Sequence, residues 1–181
     1  MSSTFQFYRC DVLPERDTEP RLPCEYSARL WTPAQGGVVP PGLPLAPFGI
    51  WTAMHHLRMF ANSDYGVLVV YRDGRLVHRS GLFPRYARFP FMRREDLQVG
   101  DVWTAPEHRN RGLASFALQR LVDEKVRGGR RIWYVVEADN AASIRTAERC
   151  GFVLVGTGAR TKRLGLALLG QFVMESSRGM V

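Results

Sequence analysis

The sequence predicts an α+β domain built on a single mixed, mostly antiparallel sheet that is flanked by helices. The 181 residues suffice for one domain with a sizeable core. Hydrophobic residues make up 45% and charged residues 23%, which is the balance of a soluble globular protein. After residue 66, strand and helix patterns follow one another in the order ββ, β-α-β-α, ββ. That order is typical of one sheet with helices packed against it.

The first 47 residues predict an irregular, proline-rich N-terminal extension, and residues 48–181 predict the domain itself. Most of the prolines lie between residues 11 and 47, where they remove backbone donors and break regular elements. Alternation from Glu25 to Thr32 predicts one short strand within the extension. Residues 48–61 predict a helix, because apolar residues recur there at helical spacing.

The remaining elements are predicted from periodicity, turn residues and caps. A hairpin is expected around the Asp73-Gly74 turn, and a basic, aromatic loop follows it. Gly128-Gly129 ends a long amphipathic helix, and Gly151 ends a short one. The predicted strands are 67–71, 75–83, about 97–104, 131–137, about 152–157 and 165–174; the predicted helices are about 112–127 and about 141–150.

Charge and cysteine content limit the class of protein. The formal net charge is 25 − 17 = +8, which attracts polyanions such as nucleic acid or nucleotide cofactors. Cys10, Cys24 and Cys150 form an odd set without metal-ligand spacing, which predicts reduced thiols in the cytoplasm and no metal site. No stretch approaches the roughly 20 apolar residues of a membrane span, and the start lacks a signal peptide. The sequence therefore predicts a cytoplasmic protein without a membrane partner.

The most informative stretch is TAPEHRNRGLA, residues 104–114. A strand ends at its first residue, Arg109-Asn110-Arg111 form a turn, and a helix starts near Gly112. Backbone N–H groups at a helix start have no partner within the helix, and the macrodipole makes that end positive. A pyrophosphate can therefore bind there, held by N–H groups and two guanidinium groups. The alternative is a solvated basic loop with a glycine at a tight turn.

Two motifs resemble the GCN5-related N-acetyltransferase (GNAT) superfamily. Arg109, Gly112 and Ala114 match its [RQ]-x-x-G-x-[GA] motif, and residues 102–106 match the strand and proline before it. Residues 140–152 match a second motif, N-x-x-S-I-R…A-E-x-x-G-F, in a form similar to the branch that includes ribosomal-protein acetyltransferases. The resemblance covers about residues 66–175. It implies a GNAT-like acyl-CoA N-acyltransferase fold.

The resemblance also implies acetyl-CoA as cosubstrate and assigns residues to it. Backbone groups of the strand ending at Thr104 are expected to pair with the pantetheine arm like an added strand. Asn140 and Ser143 are expected to line the pantetheine path, although Asn140 can equally be a plain helix N-cap. The implied cofactor-binding residues are Val102, Trp103, Thr104, Arg109, Asn110, Arg111, Gly112, Leu113, Ala114, Asn140 and Ser143.

The catalytic acid and base are less well defined. Many family members place a tyrosine in the last helix to protonate the leaving thiolate, but this sequence has Ala147 near that position. A thiol pKa near ~8.5 allows the thiolate to leave without an acid. Asp101, in the strand beside the expected cleft, is the favoured base, unless it only pairs with an arginine. Glu137 is the second candidate base, and His78 is either a water-linked base or a sheet-surface residue.

The acceptor is predicted to be a primary amine. An α-amine has a pKa near ~7.7–8.0 and a lysine amine one near ~10.4, so much more of an α-amine is neutral at pH 7. Because no base is obvious in the sequence, an acceptor amine of low pKa is favoured, such as an amino sugar or a protein N-terminus. In the loop 83–94, aromatic residues alternate with arginines, which suits a nucleotide-linked amino sugar or single-stranded nucleic acid. Alternatively, the aromatic side chains anchor the loop and the arginines lie in solvent.

Three functional hypotheses follow. The leading one is an acetyl-CoA-dependent N-acetyltransferase that acts on a small-molecule amine, such as an amino sugar. The second is an acetyltransferase of protein N-termini, similar to those that modify ribosomal proteins. The third is a non-catalytic, basic module that binds nucleic acid or the ribosome. A homodimer is left open.

Overall fold

The computed structural model describes residues 4–15, 20–161 and 170–175. Two short 3₁₀ turns, Pro33–Gln35 and Pro106–His108, accompany the main elements. None of the helices described is long and apolar enough to cross a membrane. The main elements are β1 (Thr4–Cys10), β2 (Ser27–Trp31), α1 (Leu45–His56), β3 (Gly66–Arg72), β4 (Arg75–Pro84), β5 (Leu97–Thr104), α2 (Leu113–Arg127), β6 (Ile132–Glu137), α3 (Ala141–Arg149), β7 (Val153–Arg160) and β8 (Phe172–Glu175).

The strands form one eight-stranded sheet in the order β2-β3-β4-β5-β6-β1-β7-β8. Every strand pair that the structure describes is antiparallel except β5–β6, which is parallel. The prediction of a mixed, mostly antiparallel sheet flanked by helices is therefore confirmed. α2 connects the two parallel strands, as a crossover helix must.

The N-terminal strand β1 lies inside the sheet, between β6 and β7. Phe5 is in register with Glu137, and Cys10 with Ile132. The sequence pattern predicted an irregular extension here and no strand, which is wrong for Thr4–Cys10. The alternation in this segment is visible in the sequence, but its partner strands lie more than 120 residues away, and local pattern cannot identify them.

Helix α1 starts and ends earlier than the predicted range 48–61. It ends because Arg58 adopts the left-handed conformation, with φ of 54°. The amide of Arg58 donates to the carbonyl of His55, and that of Met59 to the carbonyl of Met54, so the chain turns back over the last turn. Of the last predicted strand, 165–174, residues 165–169 lie outside the described part, and its end overlaps β8.

The sheet separates two apolar layers. α2 and α3 cover one face, where they bury Leu82, Leu97 and Ile132 of three neighbouring strands. α1 covers part of the other face, with Phe48 and Tyr65 among its buried side chains. Successive strand residues point to opposite faces, so the sheet has a complete core on each side of β4 and β5.

Candidate functional site

A gap opens between the two parallel strands. β5 and β6 are paired only from Leu97–Ile132 to Val99–Tyr134, yet both strands continue beyond these residues. On its other edge β5 stays paired with β4 as far as Thr104. The gap therefore leaves an edge of β5 to which an extended ligand can hydrogen-bond as an added strand. The predicted cofactor-binding residues Val102 to Thr104 form that edge.

A β-bulge lies where the two strands separate. Gly100 is in register with Gly81 and Trp103 with Arg79, so two residues of β5, Asp101 and Val102, oppose one residue of β4. Asp101 has a left-handed φ of 49°. A bulge bends the bulged strand and increases its twist, which directs β5 away from β6.

The start of α2 is open toward this gap. Gly112 is the N-cap residue in the left-handed conformation, with φ of 76°, and a Cβ atom built there would meet no atom within 4 Å. The amide of Phe116 donates to the Gly112 carbonyl as the helix ladder begins, so those of Leu113 and Ala114 have no acceptor within the helix. No acidic residue lies in the first turn. These features suit an anion.

Two arginines flank this helix start, and both are anchored. Arg109 Nε donates to the carbonyl of Thr104 at 3.3 Å, and Arg111 Nη1 donates to the Tyr26 hydroxyl at 3.4 Å. The Tyr26 hydroxyl is also hydrogen-bonded to His108 Nδ1 at 3.0 Å, and both of these side chains are buried. The predicted residues 109–114 thus converge on one helix start. Tyr26, which lies more than 80 residues earlier, was not predicted to take part.

Asn140 and Ser143 lie at the start of α3. Asn140 Oδ1 accepts a hydrogen bond from the Ser143 amide at 3.1 Å, so the helix-cap interpretation of Asn140 is confirmed. Burial raises the pKa of Tyr134, and the side chain of Ser143 opposes the shift, so Ser143 lies close to Tyr134. Tyr134 is the last β6 residue paired with β5. Ser143 therefore borders the point where the strands separate, and the cofactor role of both residues stays a prediction.

Asp101 forms an ion pair, as one of the two sequence interpretations expected. Arg79 Nε donates to Asp101 Oδ2 at 2.6 Å. The Arg79 guanidinium lies 5.3 Å from the ring centroid of Phe48 and 5.2 Å from that of Trp103. The Arg79 side chain is 16% exposed and that of Asp101 29%, so the carboxylate keeps contact with solvent. Glu137, the second candidate, lies exposed at the end of β6.

Tyr65 is a functional candidate that the sequence did not indicate. Its side chain is fully buried, and within the described residues its hydroxyl has no hydrogen-bond partner. Burial raises its pKa most, the nearby Thr52 hydroxyl opposes this, and the negative charge of Asp101 adds to it. An aromatic residue before an apolar strand is an ordinary core pattern, so only the fold could identify it.

His78 is a core residue rather than a sheet-surface one. Its side chain is fully buried, with Nδ1 2.8 Å from Thr104 Oγ1 and Nε2 2.9 Å from Ser80 Oγ. Burial, followed by the positive charge of Arg79, lowers the pKa of His78 to about 4. His78 is therefore neutral at pH 7 and holds the end of β5 in place.

We expect His78 to make the protein less stable in mild acid. Because its pKa is about 4 in the folded chain and 6.5 in an unfolded one, the unfolded chain binds the extra proton between these values. This contribution to the free energy of unfolding is complete above pH 6.5 and falls by about 2 kcal/mol on going to pH 5. Urea unfolding of wild type and His78→Gln at pH 7.5 and pH 5.0 measures it. Equal pH dependence in both proteins would show that His78 is not buried as a neutral group.

Two of the four aromatic side chains in the loop from residue 83 to 94 are buried, and the other two, Tyr86 and Phe91, are half-buried. Phe83 is 3% exposed and Phe89 is 4% exposed. Phe89 stacks on Phe172 with ring centroids 5.5 Å apart, and Tyr86 packs edge-on against Phe60 at the same distance. The interpretation that these aromatic residues anchor the loop is therefore confirmed. The two buried phenylalanines are not available to stack on a base.

Comparison with known families gives one match. The family model described as Acetyltransferase (GNAT) family matches residues 40–152, which include α1, the gap between β5 and β6, and both sequence motifs. No curated protein matches the chain in sequence.

Solved structures show the same fold at low sequence identity. The chain is similar to a GCN5-related N-acetyltransferase from Sphaerobacter thermophilus (TM-score 0.55, 19% identity, 86% of this chain and 50% of that chain). It is also similar to a GNAT-family acetyltransferase from Colwellia psychrerythraea (TM-score 0.52, 15% identity, 85% of this chain and 53% of that chain). A third similar structure is the yncA protein of Salmonella typhimurium, solved with its cofactor acetyl-CoA (TM-score 0.52, 22% identity, 78% of this chain and 86% of that chain). The chain thus spans only about half the length of the first two.

Proposed function

Because the chain belongs to the acetyltransferase (GNAT) family, we propose that it transfers an acetyl group from acetyl-CoA to a primary amine. The observation that carries this proposal is the gap between β5 and β6, which leads to the open, positively flanked start of α2. One part of this site is an unpaired strand edge and the other an anion site. An extended ligand with a pyrophosphate needs both parts in this order.

The residues of the site fit acetyl-CoA, which supplies the acyl thioester. The edge of β5 from Val102 to Thr104 would pair with the pantetheine arm. The amides of Leu113 and Ala114, with Arg109 and Arg111, would hold the pyrophosphate, and the left-handed Gly112 leaves room for it. The yncA protein, which shares this fold, was solved with acetyl-CoA.

Transfer needs a neutral amine, because only a nitrogen with a free electron pair can attack the acyl carbon. The new C–N bond replaces the C–S bond of the thioester, the amine proton passes to a base, and the sulfur leaves as a thiolate. We propose Asp101 as that base. Its carboxylate lies at the bulge where β5 leaves β6, is oriented by Arg79 and remains partly open to solvent. Glu137 is the alternative, at the end of the opposite strand.

For the acceptor, a small-molecule amine is favoured over nucleic acid. Single-stranded nucleic acid binds by stacking its bases on exposed aromatic rings. Here Phe83 and Phe89 belong to the core and Tyr86 and Phe91 are half-buried, which weakens the support for both the nucleic-acid hypothesis and a nucleotide-linked sugar. A simple amino sugar and a protein N-terminus remain as amines of low pKa.

Acetyl-CoA is expected to raise the melting temperature. A ligand that binds only the folded chain at 100 times its Kd adds about 2.7 kcal/mol, which corresponds to a rise of roughly 5–10 °C for a domain of this size. Thermal unfolding with 0–2 mM acetyl-CoA measures this, with sodium chloride at equal ionic strength as the control. A flat response would contradict the proposed function. Release of free thiol from acetyl-CoA with a panel of amines then identifies the acceptor.

A further inference from the structure

A cleft with several positive charges lies on the α1 side of the sheet. Its walls are the segment that follows α1 and the loop before β5, and Arg58, Arg85 and Arg94 are its arginines. It consists of two adjoining cavities of about 590 and 330 Å³, which share Phe60, Ala61 and Arg94. We call this the basic cleft. Its volume is in the usual range for a small-molecule site.

Within the part of the chain that the structure describes, no carboxylate neutralises the basic cleft. Its described lining residues include no aspartate or glutamate, and among the described residues none forms an ion pair with Arg58, Arg85 or Arg94. The nearby Asp64 is already paired with Arg130 at 2.8 Å. Two histidines at the end of α1 add further N–H donors to the lining. Unpaired guanidinium groups that share a concave surface attract a compact anion.

The two walls hold a defined spacing. The Asn62 side chain donates to the carbonyl of Arg94 at 2.8 Å, and the Ala61 amide donates to the carbonyl of Arg85 at 2.9 Å. Arg58 occupies the left-handed position at the end of α1, which glycine adopts without steric strain. The fold thus tolerates backbone strain at Arg58, whose side chain lines the cleft.

The basic cleft lies on the same side of the sheet as the proposed base. Phe60 lines the cleft and stacks on Tyr65, with ring centroids 5.3 Å apart. Phe48 belongs to the same buried cluster as these two rings, and Arg79, the ion-pair partner of Asp101, lies 5.3 Å from the Phe48 ring centroid. The cleft and the start of α2, where the pyrophosphate is proposed to bind, lie on opposite faces of the sheet. The cleft is therefore placed to hold an acceptor rather than the cofactor.

We infer that the basic cleft binds a phosphate or carboxylate group of the amine acceptor, so that the acceptor is a small anionic amine. This inference rests on the proposed function, since it names the substrate class of the same site. The anion is recognised by Arg58 and Arg94, while the amine extends past Phe60 toward Asp101. The buried state of Phe83 and Phe89 favours a compact anion over a base-bearing one.

The test uses inorganic phosphate and acetate as probes of the cleft, with saturating acetyl-CoA present to occupy the proposed pyrophosphate site. At constant ionic strength, phosphate at tenfold excess over its Kd is expected to raise the melting temperature by about 3 °C or more. A larger effect of acetate would instead identify a carboxylate. Arg58→Gly and Arg94→Gln are each expected to remove at least half of the shift. Arg58→Gly relieves the left-handed strain, so loss of folding cannot explain its effect.

Arg120→Gln is the matched control, because it removes the same charge from α2 on the opposite face, and it should retain the full shift.

Phosphorylated and unphosphorylated forms of one amino sugar, and an amino acid and its amide, then form matched acceptor pairs. We expect kcat/KM to be at least about tenfold higher for the anionic member of one pair. Two results would overturn this inference and leave the proposed function intact. In the first, acetyl-CoA binds but neither anion shifts the melting temperature. In the second, Arg120→Gln loses as much of the anion-induced shift as Arg58→Gly does. If acetyl-CoA itself does not bind, the proposed function fails with this inference.

Discussion

Replacement of Gly112 by aspartate is expected to abolish acetyl-CoA binding while the chain stays folded. The left-handed φ of 76° is one that aspartate tolerates better than most residues, and a Cβ atom at this position would meet no atom within 4 Å. Its carboxylate would occupy the helix start where the pyrophosphate is proposed to bind. Two like charges about 4 Å apart repel by about 4 kcal/mol at an effective dielectric constant of 20, which corresponds to a several-hundredfold loss of affinity.

The matched control for this prediction is Gly112→Asn. Asparagine has nearly the same shape and a similar tolerance of the left-handed conformation, but it carries no charge. Calorimetric titration with acetyl-CoA is expected to show a much smaller loss of affinity in Gly112→Asn than in Gly112→Asp. Equal losses would mean that space rather than charge matters at this position. Normal binding by both variants would show that the pyrophosphate lies elsewhere.

The second large effect is expected for Asp101→Asn. If Asp101 accepts the amine proton, this change should lower kcat/KM by about 10²-fold or more, the usual scale of general-base catalysis. Affinity for acetyl-CoA should change little, because Asp101 is not among the residues proposed to hold it. Asparagine tolerates the left-handed φ of 49°, and its amide oxygen can still accept from Arg79. The acidic limb of the pH–rate profile should flatten, because the group that must lose a proton is gone.

Glu137→Gln is the comparison for Asp101→Asn, since it removes the other candidate base from the opposite strand. If Asp101 only supports the fold through Arg79, Asp101→Asn should lower the melting temperature and leave the shape of the profile intact. A flattened acidic limb in Glu137→Gln instead would transfer the role to Glu137. Profiles unchanged in both variants would indicate that solvent takes the proton.

The loop at residues 104–114, which we propose to bind the cofactor, could be predicted because its parts are close together in the sequence. A strand end, two arginines and a helix start fall within the eleven residues 104–114, and local physics alone makes a helix start attract anions. The periodicity of β3, β4 and α2 likewise depends on neighbouring residues, so these elements were predicted nearly to their ends. The α+β class follows from their order along the chain.

Long-range contacts decided the rest, because no local pattern specifies them. The pairing of Asp101 with Arg79, the packing of Arg79 on Phe48, and the stacking of Phe89 on Phe172 each join segments far apart in the sequence. The same holds for β1, whose place between β6 and β7 depends on residues at the other end of the chain. The sequence by itself thus determined the fold class, through the order of its elements, and the open helix start at Gly112, which short-range backbone geometry creates. Only the tertiary structure brought Arg58 and Arg94 into one cleft, because only folding can concentrate separated charges on one surface.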